Sequence, residues 1–225
     1  MSIDWSWTDR FEDVHVAFVG KNAHAGRFDT VPAILEPLLP AGTTPAWLKQ
    51  EHGRDVVVAT RGGHIGSGDA VLSELATIAP VVRTADCVPV LLTGQTRDGH
   101  RGIAAVHAGW RGVVARVVEA AVERFTAIDQ VWVGPSISGD VYEVSHEVAE
   151  QVVAASDEKV LHPGRGDRPH VDLVDATHVQ LQALGIERIT FLPFCTHQDE
   201  DKLYSYRRDG KGCGHNVAVI WRSGN

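Results

Sequence analysis

The residues from Arg83 to Gly112 read RTADCVPVLLTGQTRDGHRGIAAVHAGWRG, and this stretch decides the fold. It contains two apolar runs, Pro89–Leu92 and Gly102–Val106, which have the length and composition of buried strands and are joined by a polar loop. Cys87 precedes the first run and His107 follows the second. If the runs pair as antiparallel neighbours, these two side chains meet at one end of the sheet. A thiol and an imidazole brought together are typical of a metal site or a nucleophilic pair.

A tight turn and a helical pattern follow His107. The pattern runs from Val113 to Phe125, with apolar residues at three- and four-residue spacing, and predicts one helix. The turn before it can present backbone N–H groups and the Arg111 guanidinium to an anion, although a solvated surface arginine is the alternative. Trp110 is expected to pack against the protein rather than stack on a ligand.

The composition of the 225-residue chain argues against several classes of protein. A net charge of −8 and a pI near 5.8 disfavour a nucleic-acid surface, which needs clustered lysine and arginine. The acidic N-terminal region lacks the apolar core of a secretory signal, and no apolar stretch approaches the roughly 20 residues that span a bilayer. The three cysteines, an odd and small set, argue against a disulfide framework and favour the reducing cytoplasm.

Strand-like and helix-like segments alternate along the rest of the chain. Strands are predicted at residues 11–20, 46–50, 55–60, 80–84, 131–133, 188–194 and 216–221, and helices at residues 31–39, 145–155 and 171–184, with Ser145 as an N-cap. The glycine-rich residues 61–69 predict a loop, either mobile or approached by a ligand. Several connections are too short for a crossover helix, so a mixed α+β domain is favoured over a doubly wound parallel sheet.

His52 resembles Cys87 and His107 in its position at a predicted strand end, since Gly53 allows a sharp turn directly after it. Two imidazoles and one thiolate form a catalytic zinc set that leaves a fourth position for water or substrate. Their separations along the chain are far longer than those of zinc fingers, and a small buried hydrophobic cysteine is the alternative. Asp86 either orients a histidine ligand or caps a turn.

Two further clusters lie towards the C-terminus. Cys195 and His197 would share one face of an extended segment, and a structural role is favoured for them. Residues 204–208, YSYRR, combine aromatic rings with the guanidiniums of Arg207 and Arg208. This combination suits an anionic or planar ligand, and an exposed edge strand with two solvated arginines fits equally well.

Several motifs occur in a recognisable order between Trp47 and Trp221. They are QEHG at residues 50–53, TADCVPVLL at 84–92, AAVHAGWRG at 104–112, GPSISGDVYEV at 134–144, CTH at 195–197 and YSYRRDG at 204–210. Together they resemble the YfiH-type family, also called the multicopper polyphenol oxidase or laccase-like family, whose members are described as purine nucleoside phosphorylases. The resemblance implies one domain, here residues 1–225, with four α/β/β/α layers and mixed sheets.

The same resemblance implies a metal site and a set of activities. The metal, usually zinc, would be held by His52, Cys87 and His107, the three residues that their chemistry also singles out. The implied activities are phosphorolysis of adenosine, inosine, guanosine and methylthioadenosine, and deamination of adenosine. Our leading hypothesis is therefore a zinc-dependent purine nucleoside phosphorylase. It is expected to be a cytoplasmic monomer that binds a purine nucleoside and phosphate, and neither nucleic acid nor membrane.

Three arginines are candidates to hold the phosphate, namely Arg111, Arg207 and Arg208. One alternative function is copper-dependent oxidation of phenols. Another is a cysteine-type amide hydrolase that edits peptidoglycan precursors, with Cys87 as nucleophile and His107 as base. A structural zinc protein that serves a partner is the non-catalytic alternative.

The sequence departs from the family pattern in two places. The usual GGVS-type loop is replaced by VGKNAHAGRFDT at residues 19–30, which predicts a changed substrate pocket. The usual Thr-Gly-Arg after the RRDG turn is replaced by residues 212–215, GCGH. That replacement removes an arginine and adds Cys213 and His215, so it predicts altered phosphate binding or an altered metal environment.

Overall fold

Two mixed β-sheets, packed face to face, form the centre of the protein in a computed structural model that describes residues 4–22, 30–164 and 166–223. The strands are β1 (Ser6–Phe11), β2 (Val14–Val19), β3 (Thr44–Lys49), β4 (Val56–Val58), β5 (Gly63–Ser67), β6 (Ala70–Ser73), β7 (Ile78–Thr84), β8 (Val88–Thr96), β9 (Arg101–Ala108), β10 (Phe125–Val133), β11 (Leu161–His162), β12 (His170–Val171), β13 (Ile189–Phe191) and β14 (Asn216–Arg222). The helices are α1 (Val31–Leu35), α2 (Trp110–Val114), α3 (Val117–Val122), α4 (His146–Ala155), α5 (Leu173–Ala183) and α6 (Tyr206–Asp209).

The strand order confirms the predicted mixed sheets. The first sheet has the order β1-β2-β14-β7-β3-β5 and the second has the order β13-β10-β8-β9-β6-β4. In the first sheet β3 pairs in parallel with β5 and β7, and in the second β4 pairs in parallel with β6 and β10 with β13. The other pairs in these two sheets are antiparallel.

Three apolar layers separate the sheets and helices. Phe18 and Ile220 of the first sheet pack with Leu91, Ile103 and Trp132 of the second sheet. The outer face of the first sheet is covered by α1, and the outer face of the second sheet by α2 to α5. Burying both faces of each sheet in this way confirms the α/β/β/α order of layers.

The predicted pairing of the two central runs is also confirmed. Strands β8 and β9 are antiparallel neighbours, with Val88 opposite Ala108 and Leu91 opposite Ala105. Because Cys87 directly precedes β8 and His107 lies near the end of β9, the thiol and the imidazole come to the same end of the second sheet.

One helix over residues 113–125 was a wrong prediction. The segment forms α2 and α3, separated by Arg116 at a left-handed φ of 60°, and Phe125 already begins β10. Adjacent valines have modest helix propensity because their branched side chains are restricted, so tertiary packing decides the local structure. The break lets Val113 and Val117 both lie fully buried against the second sheet.

The glycine-rich residues 61–69 are not wholly a loop, because β5 occupies residues 63–67 at the edge of the first sheet. A Cβ atom on Gly62 would lie only 2.6 Å from Thr44 Oγ1, so the glycine lets the segment approach β3 closely. Residues 204–208 likewise form no edge strand, since Tyr206 begins the short helix α6, which is capped by the Ser205 hydroxyl.

Two helix predictions near the C-terminal half are confirmed. Helix α4 begins after Ser145, whose side chain accepts a hydrogen bond from Val148 N, and ends near Ala155 as expected. Helix α5 is followed by Gly185 at a φ of 74°, the left-handed conformation expected after a helix end. Within the described ranges, every helix is too short or too polar to traverse a lipid bilayer.

The chain crosses from the first sheet to the second at three points that position polar side chains. His52 lies between β3 and β4, Asp69 between β5 and β6, and Cys87 between β7 and β8. Each crossing contains a residue with positive φ, at His52 (60°), Gly68 (146°) and Asp86 (99°). Such values are uncommon outside glycine, and they occur here where the backbone must turn sharply between sheets.

Candidate metal centre

His52, Cys87 and His107 lie together in the structure. Each offers one ligand atom, and these atoms all lie within 4.8 Å of one another. The two imidazole rings meet edge to face, with centroids 4.8 Å apart. His52 is exposed, Cys87 is half-buried and His107 is buried, so the group opens to solvent on one side. Two imidazoles and a thiol with an open side fit a zinc ion that keeps one position for a reactant.

Asp69 holds two of the three candidate ligands, His52 and His107, in place. Its carboxylate accepts a hydrogen bond from His107 Nδ1 at 2.8 Å, from His52 N at 2.9 Å and from Gly53 N at 2.7 Å. Burial alone would raise the pKa of Asp69, but the bonds from His107 and Gly53 outweigh it and lower the pKa. Because Nδ1 of His107 donates to the carboxylate, Nε2 is left to act as the ligand atom.

Gly109 leaves space for the ligand side chains. A Cβ atom at this position would lie 2.8 Å from Cys87 Sγ and 3.0 Å from His52 Cδ2. The backbone there has a φ of −74°, which any residue can adopt, so the requirement for glycine comes from the two ligand side chains. The turn after His107 is therefore shaped around the candidate metal ligands.

Cys87 and His107 change each other's protonation. Burial raises the pKa of the Cys87 thiol, but the charge and hydrogen bond of His107, together with His52, lower it to about 6. Burial lowers the pKa of His107, but the Cys87 thiolate and Asp69 raise it to about 9. The metal-free protein therefore holds a thiolate beside an imidazolium at neutral pH, and the thiolate is the form that binds metal.

In metal-free protein, the ultraviolet absorbance of thiolate should rise with a midpoint near pH 6. A thiol loses its proton as the pH increases, so the Cys87 thiolate should be scarce below about pH 5 and dominant above about pH 7. The rise should vanish in Cys87→Ser, since burial raises the pKa of Cys213. A wild-type protein whose first thiol titrates only near pH 8.5 or above would contradict the pairing with His107.

Asp86 connects the candidate metal ligands to three other segments. Its buried carboxylate accepts a hydrogen bond from Thr196 Oγ1 at 2.6 Å and from Arg207 N at 2.7 Å. Its backbone oxygen accepts a bond from Ile137 N at 3.0 Å. Through these bonds Asp86 neither caps a simple turn nor contacts a histidine ligand. Instead, it joins three segments that are distant in sequence to the start of the segment that carries Cys87.

The predicted anion-binding arginines have different surroundings. The Arg207 guanidinium lies over the Tyr142 ring at 4.9 Å, and the Arg111 guanidinium lies over the Trp110 ring at 4.4 Å. Both arginines are exposed. Burial and then the charge of Cys87 raise the pKa of the Tyr142 phenol, whereas the charges of Arg207 and Arg111 lower it. Arg207 is bonded through its backbone N–H to Asp86, the residue before Cys87, and Arg111 follows His107 by four positions, so both arginines lie near the candidate ligands.

Arg208 has a different environment from Arg207. Its guanidinium donates to the backbone oxygens of Thr196, His197 and Leu203 and to the Asp209 carboxylate. These bonds hold together the loop that precedes α6. The phosphate-binding prediction for Arg208 accordingly has little support from its surroundings, because its donors already have partners.

The remaining cysteines and the altered C-terminal turn lie outside the three-residue group. Cys195 is buried, and its sulfur accepts a hydrogen bond from Ser138 N at 3.4 Å. His215 is half-buried, and its pKa is lowered by burial and then by the charges of Arg83 and His107. The altered turn thus places an imidazole within electrostatic reach of the candidate ligands. Of the other altered segment, residues 23–29 lie outside the described residues.

Sequence reasoning missed Asp69 and Tyr142. The position of Asp69, directly after a glycine-rich run and before an apolar strand, is a signal that could have drawn attention to it. Tyr142 had no comparable signal, because a tyrosine within a turn-rich segment is common. Its relation to Arg207 depends on residues more than 60 positions away and emerges only from the fold.

A family model and individual relatives both match this chain over most of its length. A family model described as multi-copper polyphenol oxidoreductase laccase matches residues 33–223. A protein named purine nucleoside phosphorylase YfiH, from Shigella flexneri, is 36% identical over 88% of this chain and 84% of its own length. Purine nucleoside phosphorylase ORF3 from Streptomyces griseus is 34% identical over 98% of this chain and 94% of its own length.

Solved structures share the same architecture. The crystal structure of Neisseria meningitidis protein NMB0706 superposes with a TM-score of 0.81 at 25% identity, over 97% of this chain and 99% of that one. The crystal structure of YlmD from Geobacillus stearothermophilus has a TM-score of 0.81 at 21% identity, over 95% and 93% of the two chains. The arrangement of layers described above is therefore one that crystal structures also contain.

Proposed function

This chain belongs to the multi-copper polyphenol oxidoreductase laccase family, and we propose that within this family it is a zinc-dependent purine nucleoside phosphorylase. Relatives with that name support the reaction, and the donor set of His52, Cys87 and His107 supports the metal. The observation that carries the proposal is the position of this set, open on one side and accompanied there by two exposed arginines, Arg111 and Arg207.

The reaction consists of a displacement at the ribose. A phosphate oxygen forms a bond to C1′ while the bond from C1′ to the purine nitrogen breaks, and the electron pair leaves with the base. The purine nitrogen then takes up a proton, from dihydrogen phosphate or from water, and the products are ribose 1-phosphate and the free base. Arg111 and Arg207 would hold the phosphate in line with that bond, because guanidiniums bind phosphate oxygens in a fixed geometry. We leave Arg208 out of this role because its donors hold the neighbouring loop.

The chain's own residues keep the site ready for this reaction. A bound zinc ion would supply Lewis-acid chemistry, either towards phosphate or towards a water molecule that deaminates adenosine. Asp69 fixes the tautomer and the orientation of His107 and holds the backbone of His52. Gly109 leaves the ligand side chains uncovered.

Incubation of the zinc-loaded protein with inosine and inorganic phosphate tests this proposal. We expect hypoxanthine and ribose 1-phosphate in equal amounts, and no base release when phosphate is omitted. Adenosine, guanosine and methylthioadenosine are the further substrates, and conversion of adenosine to inosine without phosphate would report the deaminase activity. Absence of base release from all four nucleosides would refute the phosphorylase proposal.

A cysteine-type amide hydrolase is the second candidate, favoured by the thiolate of Cys87 beside the imidazolium of His107. In this alternative Cys87 attacks an amide carbon and His107 protonates the leaving amine. Amide hydrolysis by metal-free protein, blocked by alkylation of Cys87, would favour it. Activity that disappears with the metal and returns with zinc would favour the phosphorylase.

The name of the family favours copper-dependent oxidation, and the available metal donors can be compared with what a copper oxidase needs. Within the described ranges, a second group of donors within 4.8 Å consists of His162, Asp172 and Asp175. It offers a single imidazole with two carboxylates, so it is not one of the histidine-rich sites that an oxidase needs to gather several copper ions. Metal analysis of protein purified without added metal distinguishes the phosphorylase from the oxidase. About one zinc per chain supports the phosphorylase, whereas stoichiometric copper would support the oxidase.

A further inference from the structure

Two sets of contacts hold Tyr142 in place. It lies between β10 and α4, and its backbone oxygen accepts a hydrogen bond from Val171 N at 3.2 Å. Its ring packs against the core cluster between the second sheet and the helices, and the Arg207 guanidinium lies over the ring at 4.9 Å. A ring with these contacts has little freedom to turn, so its hydroxyl has a defined position.

The backbone of Arg207 is held by a residue adjacent to a candidate metal ligand. Asp86, the residue before Cys87, accepts the Arg207 backbone N–H at 2.7 Å. The same carboxylate is held by Thr196 at 2.6 Å, and Asp86 has a φ of 99°, which a non-glycine residue adopts only under constraint. The pair of Arg207 and Tyr142 is thus attached to the backbone that carries the cysteine.

The Tyr142 hydroxyl has a free hydrogen-bonding capacity. It makes no hydrogen bond to the residues that the structure describes, whereas the hydroxyl of Tyr204 donates to Asn22 O at 3.1 Å. Burial and then the negative charges of Cys87 and Asp86 raise the pKa of Tyr142 to about 12, while Arg207 and Arg111 act in the opposite direction. The hydroxyl therefore remains protonated at neutral pH and lies within the fields of the cysteine and both arginines.

We infer that the Tyr142 hydroxyl is the third donor of the phosphate site, where it donates a hydrogen bond to a phosphate oxygen held by Arg111 and Arg207. The inference rests on the proposed phosphorylase function. An anion held between two guanidiniums still has unfilled acceptor positions, and a neutral hydroxyl fills one without adding charge.

Replacing Tyr142 with phenylalanine tests this inference because it removes only the oxygen atom. In the zinc-loaded Y142F protein, the KM for phosphate and the Kd for inorganic phosphate measured by calorimetry should both rise about 10-fold or more. The KM for inosine, the zinc content and the melting temperature should stay close to the wild-type values. Y206F is the matched control, since Tyr206 is an exposed tyrosine, and it should bind phosphate as the wild type does.

The two measurements separate failure of the inference from failure of the proposed function. If the wild type phosphorolyses inosine and Y142F retains its phosphate KM and Kd within twofold, the inference is wrong and the function stands. A rise confined to the KM for inosine would also overturn it, because the hydroxyl would then contact the nucleoside. If the wild type has no phosphorolytic activity, the proposed function fails, and the phosphate Kd still decides whether Tyr142 binds the anion.

Discussion

Cys87→Ser should lose its bound metal ion and phosphorolyse inosine about 1000-fold more slowly than the wild type, because metal catalysis is worth several kcal/mol. The serine hydroxyl stays protonated at neutral pH, whereas the Cys87 thiol has a pKa lowered to about 6 and is available as a thiolate ligand. Elemental analysis of the purified variant and the release of hypoxanthine measure the two effects.

The matched control for this variant is Cys213→Ser. Cys213 is half-buried and lies outside the group formed by His52, Cys87 and His107, so its replacement should leave the metal content unchanged. Full activity of Cys87→Ser with one ion per chain would show that the thiol is not a ligand. Full activity of the same variant without any ion would remove the metal from the proposed mechanism altogether.

Asp69→Asn should weaken zinc binding about 10- to 100-fold, the usual effect of removing a group that orients a metal-binding histidine. The asparagine amide cannot accept all the hydrogen bonds that the carboxylate receives from His107, His52 and Gly53. Because Asp69 is 1% exposed, the unmatched donors should also lower the free energy of unfolding by roughly 1–3 kcal/mol. Competition with a chelator measures the zinc affinity, and urea denaturation of metal-free protein measures the stability.

Glu51→Gln serves as the control for the charge change. Glu51 is exposed and pairs with Lys49 at 3.3 Å, and its backbone N–H still reaches Asp69 in the variant. Its replacement should alter zinc affinity by less than about twofold, since exposed ion pairs contribute little. A loss of stability in Asp69→Asn without any loss of zinc affinity would show that the carboxylate supports only the fold.

The mixed α+β class could be predicted from the sequence patterns and the order of layers from the family resemblance, while some local structure could not be predicted. Apolar runs and short connections indicate mixed sheets, and Ser145 and Gly185 mark helix ends because capping is decided locally. The break at Arg116 was missed, since residues 113–125 keep a helical period whether or not the helix is continuous. The strand β5 was missed because glycines carry no side-chain pattern from which a strand can be recognised.

The candidate site could be predicted to the extent that its residues have distinctive chemistry. His52, Cys87 and His107 were selected because imidazoles and thiols beside turns suggest a metal, and the structure brings all three together. Asp69 and Tyr142 were missed because an aspartate or a tyrosine in a loop has many ordinary roles. Their importance comes from partners far along the chain, such as His107 for Asp69, and sequence spacing does not show those partners.

The three crossings between the sheets have a consequence for the order of assembly during folding. His52 and Cys87 each lie where the chain leaves one sheet for the other, so the ligands converge only after both sheets have closed against each other. Loop closure over such distances is entropically unfavourable in the unfolded chain, and an ion has no prearranged partner there. We therefore expect a metal ion to bind late in folding, after the two sheets have packed together, rather than to nucleate folding.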